Sequence, residues 1–114
     1  MHLTHNILLG LLSVIFLVSG IFKLSGNEKG LEGTRDVNVS DQLARIIGAI
    51  EIFFALGMVY ALRYPDSLIG WLSILGGWVT MGGAVYAHSR ADKMKTAVPA
   101  IVLLLLFSVV LVIG

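Results

Sequence analysis

The sequence predicts an all-α, integral membrane four-helix up-down bundle, with residues 1–114 forming a single transmembrane domain. Three observations predict it. Hydrophobic residues make up 57% of the chain and charged residues 13%, where soluble domains carry about 45–50% and about 25%, so the chain has more apolar surface than a soluble fold of this size can hide. Four apolar segments recur, at about 7–22, 43–62, 68–87 and 97–113. A helix of about 20 residues, rising 1.5 Å per residue, matches the roughly 30 Å hydrocarbon core. Only the polar loop at 23–42 is long, and short links elsewhere make successive helices antiparallel neighbours.

The first segment, 7–22, contains Val18-Ser19-Gly20, small residues at a cleavage-like spacing, but no Lys or Arg precedes it, which predicts a retained helix rather than a signal peptide. It is short for a span, as is the last, so flanking residues or local thinning of the bilayer make up the length. In the loop, Gly26, Gly30 and Gly33 read as breakers, and Ser40 or Asp41 can cap the second helix. Val37-Asn38-Val39 alternates like a short strand, and Asn38-Val39-Ser40 formally matches a glycosylation sequon, a pattern common by chance. Pro65 ends the second helix at the 63–67 turn. Pro99 falls in the first turn of the last helix, where its missing N–H is harmless.

Charge counting orients the bundle. Lys23, Lys29, Arg35, Arg45, Arg90, Lys93 and Lys95 flank one side and Arg63 the other. Setting aside Lys23 and Arg45 as helix-end residues leaves five against one, so loop 23–42 is expected in the cytoplasm with both termini outside.

The second segment carries the chemistry. Glu51 lies eight residues inside it, roughly 12 Å deep, where an ionised carboxylate costs about 2.5–3.5 kcal/mol on insertion scales. It must therefore face protein, a cation or water, or be protonated. At 100° per residue, Ala44, Gly48, Glu51 and Ala55 share a stripe, and Gly70, Ser73, Gly77, Thr80, Ala84, Ala87 and His88 form another on the third segment. Asn6, Gly10, Ser13 and Gly20 form a third on the first. Small residues let backbones approach, so the first three segments are expected to enclose a pocket and the fourth to pack and face lipid. The up-down order gathers Lys23, Arg45, His88 and Arg90 at one membrane face above Glu51.

Two readings of that constellation follow. In one, a pocket lined by Glu51, His88, Arg45, Lys23, Gly48 and Ala84 binds the polar head of an amphipathic molecule, and a Glu–His pair passes a proton to a quinone or similar group. In the other, Glu51 and Arg45 or Lys23 form an ion pair that fixes the helices. His2 and His5 start the first helix on the face opposite His88, so no metal site is expected. The chain has no cysteine, which removes disulfides, thiolate ligands and dithiol chemistry. It has no phosphate loop, nucleophile elbow, dinucleotide fingerprint or polybasic tract, so nucleic acid is not an expected partner. Tyr60, Tyr64 and Trp71 read as an interfacial belt at the opposite face.

Gly20-Ile21-Phe22-Lys23-Leu24, then Arg45-Ile46-Ile47-Gly48-Ala49-Ile50-Glu51 with Ala55 and Gly57, then Gly83-Ala84 followed by His88, resemble the DoxX-like family of small four-helix membrane proteins. The resemblance implies a bacterial plasma-membrane protein. It also implies an association with a thiosulfate:quinone oxidoreductase or with membrane-linked oxidative-stress complexes, and a distant animal branch resembles an assembly chaperone for nicotinic receptors. The family is compared in fold with vitamin K epoxide reductase, but this chain lacks the cysteine pair that such chemistry needs.

The expected function is that of a small accessory subunit with no built-in cofactor. Its Glu51-centred pocket would take a quinone or lipid-like ligand beside a membrane redox complex. The alternative is an assembly factor gripping another membrane protein. Expected partners are membrane lipids, a quinone, and a partner membrane protein or a second copy of the chain. A stand-alone enzyme ranks below both readings, because nothing in the chain carries electrons or a covalent intermediate.

Overall fold

The computed structural model describes residues 2–36, 39–91 and 97–113. Five helices are found among the described residues: α1 (His2–Leu24), α2 (Glu28–Asp36), α3 (Asp41–Arg63), α4 (Leu68–Arg90) and α5 (Val98–Ile113). α1, α3 and α4 are long and apolar enough to cross a membrane; α5, with 16 residues, is a shorter apolar helix. No strand is assigned among the described residues. Val37 and Asn38, which are two residues of the strand-like triplet and the acceptor of the sequon, lie outside those residues.

Each helix end has a local cause. Gly26, at φ 76°, closes α1: its N–H donates to the Lys23 carbonyl and that of Asn27 to the Phe22 carbonyl, a Schellman stop that only glycine enters without strain. Ser40 Oγ accepts from the Leu43 N–H at 3.2 Å and Ser67 Oγ from the Gly70 N–H at 3.1 Å, capping α3 and α4.

α2 corrects the expected 23–42 loop. Gly30 and Gly33 read as breakers, yet both lie inside this helix. At Gly30 the reason is tertiary: a Cβ there would meet the Phe22 backbone at 2.6 Å, so glycine serves close approach to α1. Leu31 is buried, and Arg35 donates both to Glu28 at 2.7 Å within the helix and to Asp41 at 2.8–2.9 Å at the start of α3. The hydrogen bonds that Arg35 donates to Asp41 and then to Glu28 hold its guanidinium above its ordinary pKa.

α3 packs on α1 and α4, and α4 on α5, while α1 also touches α5. Contacts between α3 and α4 pair Phe54 with Gly76, Gly57 with Ser73 and Ala61 with Gly70, the numbers running in opposite directions. Those between α4 and α5 pair Gly77 with Phe107 and Gly82 with Leu104 in the same antiparallel sense. Phe107 stands edge-on to Phe16 of α1, ring centroids 5.2 Å apart, at the centre of the core with Leu9, Leu12, Met58 and Val110. The hydroxyls of Ser13, Ser73, Thr80 and Ser108 each donate to a carbonyl one turn back in their own helix, and Ser108 Oγ on α5 also accepts from the Trp78 indole N–H of α4 at 2.9 Å.

Tyr60, Tyr64 and Trp71 are exposed; the two tyrosine rings are tilted against each other at 4.8 Å, and Arg63 lies 5.7 Å from the Tyr64 ring centre. Among the small residues expected to line one face of α1, Ser13 and Gly20 are buried, but Asn6 is exposed and Gly10 has no neighbour near its would-be Cβ. Bulkier Leu9, Leu12 and Phe16 form the actual inner face of that helix.

Candidate functional site

The site begins with two glycines. A Cβ on Gly20 would stand 2.6 Å from the Gly48 carbonyl oxygen, and one on Gly48 would stand 2.7 Å from that of Gly20, so α1 and α3 touch backbone to backbone. One turn beyond each glycine come Lys23 and Glu51. Their side chains meet there, with Lys23 Nζ donating to Glu51 Oε1 at 2.6 Å. Glu51 is 1% exposed and Lys23 18%. A buried carboxylate is tolerated only when paired and hydrogen-bonded, and the close helix crossing supplies that pairing. Lys23 also stands in the last turn of α1, where the helix dipole favours a cation.

Beside the pair opens a cleft of about 810 Å³. Its walls are mainly apolar, with Ile15, Phe16, Ile47, Met81 and Leu103 among them. Lys23, Glu51, His88 and Glu32, with the hydroxyl residues Ser19, Thr34 and Thr80, supply its polar groups. That volume falls within the usual range for small-molecule sites, which combine apolar walls with a few placed polar groups.

Four of the six residues expected at the site, Glu51, His88, Lys23 and Ala84, line this one cleft. Arg45 and Gly48 do not. Arg45 is exposed and lays its guanidinium over Gly26, where a Cβ would come within 2.5 Å of Nη2. Gly48 is consumed by the crossing with α1, so it shapes the site from behind. Of the two cations proposed as Glu51's partner, Lys23 is the one that pairs with it.

The enclosure differs from the expected three helices. α5 contributes Pro99, Ala100 and Leu103, α2 contributes Glu32 and Thr34, and Val39 joins them from the link before α3. The small-residue stripe of α4 divides: Gly70, Ser73 and Gly77 are buried against neighbours, whereas Thr80, Ala84, Ala87 and His88 face the cleft. Glu32 is not among the residues the sequence points to, because 23–42 reads as a polar loop. A signal was present, since Glu28, Leu31 and Arg35 fall at i, i+3 and i+7, one face of a helix.

These features define a class, small helical membrane proteins with a mainly apolar cleft that holds a few ionisable groups among their helices. The chain belongs to the DoxX-like family, whose model matches residues 7–110, a stretch that takes in Lys23, Glu51 and His88. No curated protein and no solved structure matches it.

Proposed function

We infer that this protein is an accessory subunit of the bacterial plasma membrane that holds the head of an amphipathic ligand, a quinone or a lipid-like molecule, in the cleft beside Glu51, next to a membrane redox complex. The observation that carries the reading is the placement of a buried, hydrogen-bonded Lys23–Glu51 pair at the wall of a largely apolar cleft of about 810 Å³. Intramembrane ionisable groups are costly, and a lone structural pair needs no adjoining cavity. In this reading α1, α3, α4 and the shorter α5 form an up-down membrane bundle. α5 would span about 24 Å at 1.5 Å per residue, with local thinning supplying the rest. Lys23 and Arg45 lie within helices, so five basic residues against one keep the α2 side in the cytoplasm and both termini outside.

Native mass spectrometry of the protein released from its own membranes tests this, with wild type beside Glu51→Gln and Ala84→Trp, the latter filling the cleft. An amphiphile retained by wild type and lost from the tryptophan variant supports the reading. A chain that carries no amphiphile, and holds another membrane protein equally in all three forms, replaces it with the assembly-factor role.

A further inference from the structure

The glycines of α4 gauge how far that helix stands from its neighbours. Near its start, a Cβ on Gly70 would come within 2.5 Å of Ala61 on α3, and one on Gly76 would run into the Phe54 ring. A Cβ on Gly77 would come within 2.5 Å of Phe107 on α5. Further along, one on Gly82 would reach only ordinary contact with Leu104 of α5, at 4.0 Å, and one on Gly83 would meet nothing within 4 Å. α4 is therefore packed tightly on α3 over its first half and stands off from it in its second.

The gap has definite walls. Phe54 and Gly76 face each other across the antiparallel pair, so helical spacing places Ile50 opposite Thr80 one turn on and Ile47 opposite Gly83 two turns on. All four line the cleft. Ile50 is 42% exposed, and Gly83 is exposed too. Asp41 starts α3 and Ile50 comes nine residues later, about 14 Å along, which is hydrocarbon depth for a helix that crosses the membrane. Glu51 follows Ile50 directly, with Lys23 bonded to it. Polar groups thus stand at the inner end of a seam flanked by apolar Ile47, Ile50 and Gly83.

Resting on the ligand-binding reading above, we propose that the cleft opens sideways into the bilayer between α3 and α4, at Ile47 and Ile50 opposite Thr80 and Gly83, and that the tail of the bound amphiphile lies in this seam. The class of ligand follows: a lipid-dissolved molecule with a long apolar tail, taken from the membrane, rather than a water-soluble one taken through the α2 end. A tail that runs out through the seam keeps apolar surroundings along its length, whereas at the α2 end it would meet exposed Glu32. Acylglycerols and tailed quinones both fit this description.

The test uses the whole chain in phospholipid nanodiscs and two photoreactive probes with a diazirine midway along the tail, a monoacylglycerol and an alkyl ubiquinone. Labelled residues are mapped by peptide mass spectrometry with and without excess unlabelled probe. Competable labelling at Ile47, Ile50 and Gly83 is expected, and the probe that half-saturates at the lower concentration separates the two sources. Gly83→Phe fills the seam and should weaken labelling at Ile47 and Ile50 on the order of tenfold, the scale of two buried methylenes lost. Val79→Phe, on an exposed face of α4 that does not line the cleft, should leave it unchanged. Should Gly83→Phe fold poorly by circular dichroism, the wild-type map decides by itself. Labelling confined to Glu32, Thr34 or Pro99, or insensitive to a folded Gly83→Phe, overturns the side opening while leaving the cleft a binding site. Competable labelling by neither probe overturns the cleft reading and the side opening together.

Discussion

Replacing Lys23 by Met strands the Glu51 carboxylate, and the geometry makes this the more costly half of the pair to lose. Glu51 is 1% exposed, whereas Lys23 keeps 18% of its side chain open and borders the cleft. Removing one partner of a buried pair costs about 3–5 kcal/mol, and water in the adjoining cleft moves Lys23→Met to about 3 kcal/mol. Glu51→Gln leaves an amide oxygen that still accepts from Nζ, and a cation that the cleft can solvate, so it costs about 1 kcal/mol. The double variant buries an unpaired amide instead of a charge and costs about 2 kcal/mol, less than the two singles together. The assay is unfolding in mixed micelles of rising dodecyl sulfate fraction, followed by far-ultraviolet circular dichroism, for the four members of the cycle. If Glu51→Gln costs as much as Lys23→Met, or the two simply add, the pair does not hold α1 to α3 in the way described.

Other perturbations follow from the same contacts. Gly48→Ala forces a methyl to within 2.7 Å of the Gly20 carbonyl and should cost about 1–3 kcal/mol in that assay, while Gly83→Ala, with open space at its would-be Cβ, should be neutral. Phe107→Ala empties the centre of the core between Phe16 and Gly77 and should cost about 3–5 kcal/mol. Arg35→Ala removes the clasp to Glu28 and Asp41, so amide hydrogen exchange over α2 should quicken severalfold while α3 and α4 stay protected. Because Arg35 is held above its ordinary pKa, its contribution is fully present below that value and is lost only as pH rises through the raised one. Raising the buffer to about pH 10 should therefore leave the α2 protection factor unchanged once the faster base-catalysed intrinsic exchange is divided out, and a fall in that factor would show that the clasp does not secure it.

Most of the fold could be read in advance where the signal was one of composition and period. Residues 43–62 and 68–87 are apolar over about the length a span requires, and the structure extends them only by capped turns, to Asp41–Arg63 and Leu68–Arg90. The buried stripe of α3, with Ala44, Gly48, Glu51 and Ala55, follows from helical spacing alone. α2 did not, because Gly30 and Gly33 lower helix propensity and nine residues give little periodicity. It stands there because Leu31 is buried, Arg35 binds two carboxylates and Gly30 fits under Phe22.

The sequence by itself determined that these helices are apolar, that α3 carries a carboxylate too deep to stand alone, and which small residues let backbones meet. Hydrophobicity and period are properties of a segment, and the cost of an unpaired charge does not depend on which neighbour relieves it. Tertiary structure decided the neighbour. Lys23 and Arg45 were equally able to answer Glu51 by type, and the Gly20–Gly48 crossing carries Lys23 to it, while Arg45 is drawn over Gly26. Tertiary structure likewise set Glu32, Pro99 and Leu103 around the cleft, since a cavity is defined by how far apart helices stand, and that distance is written in no single helix.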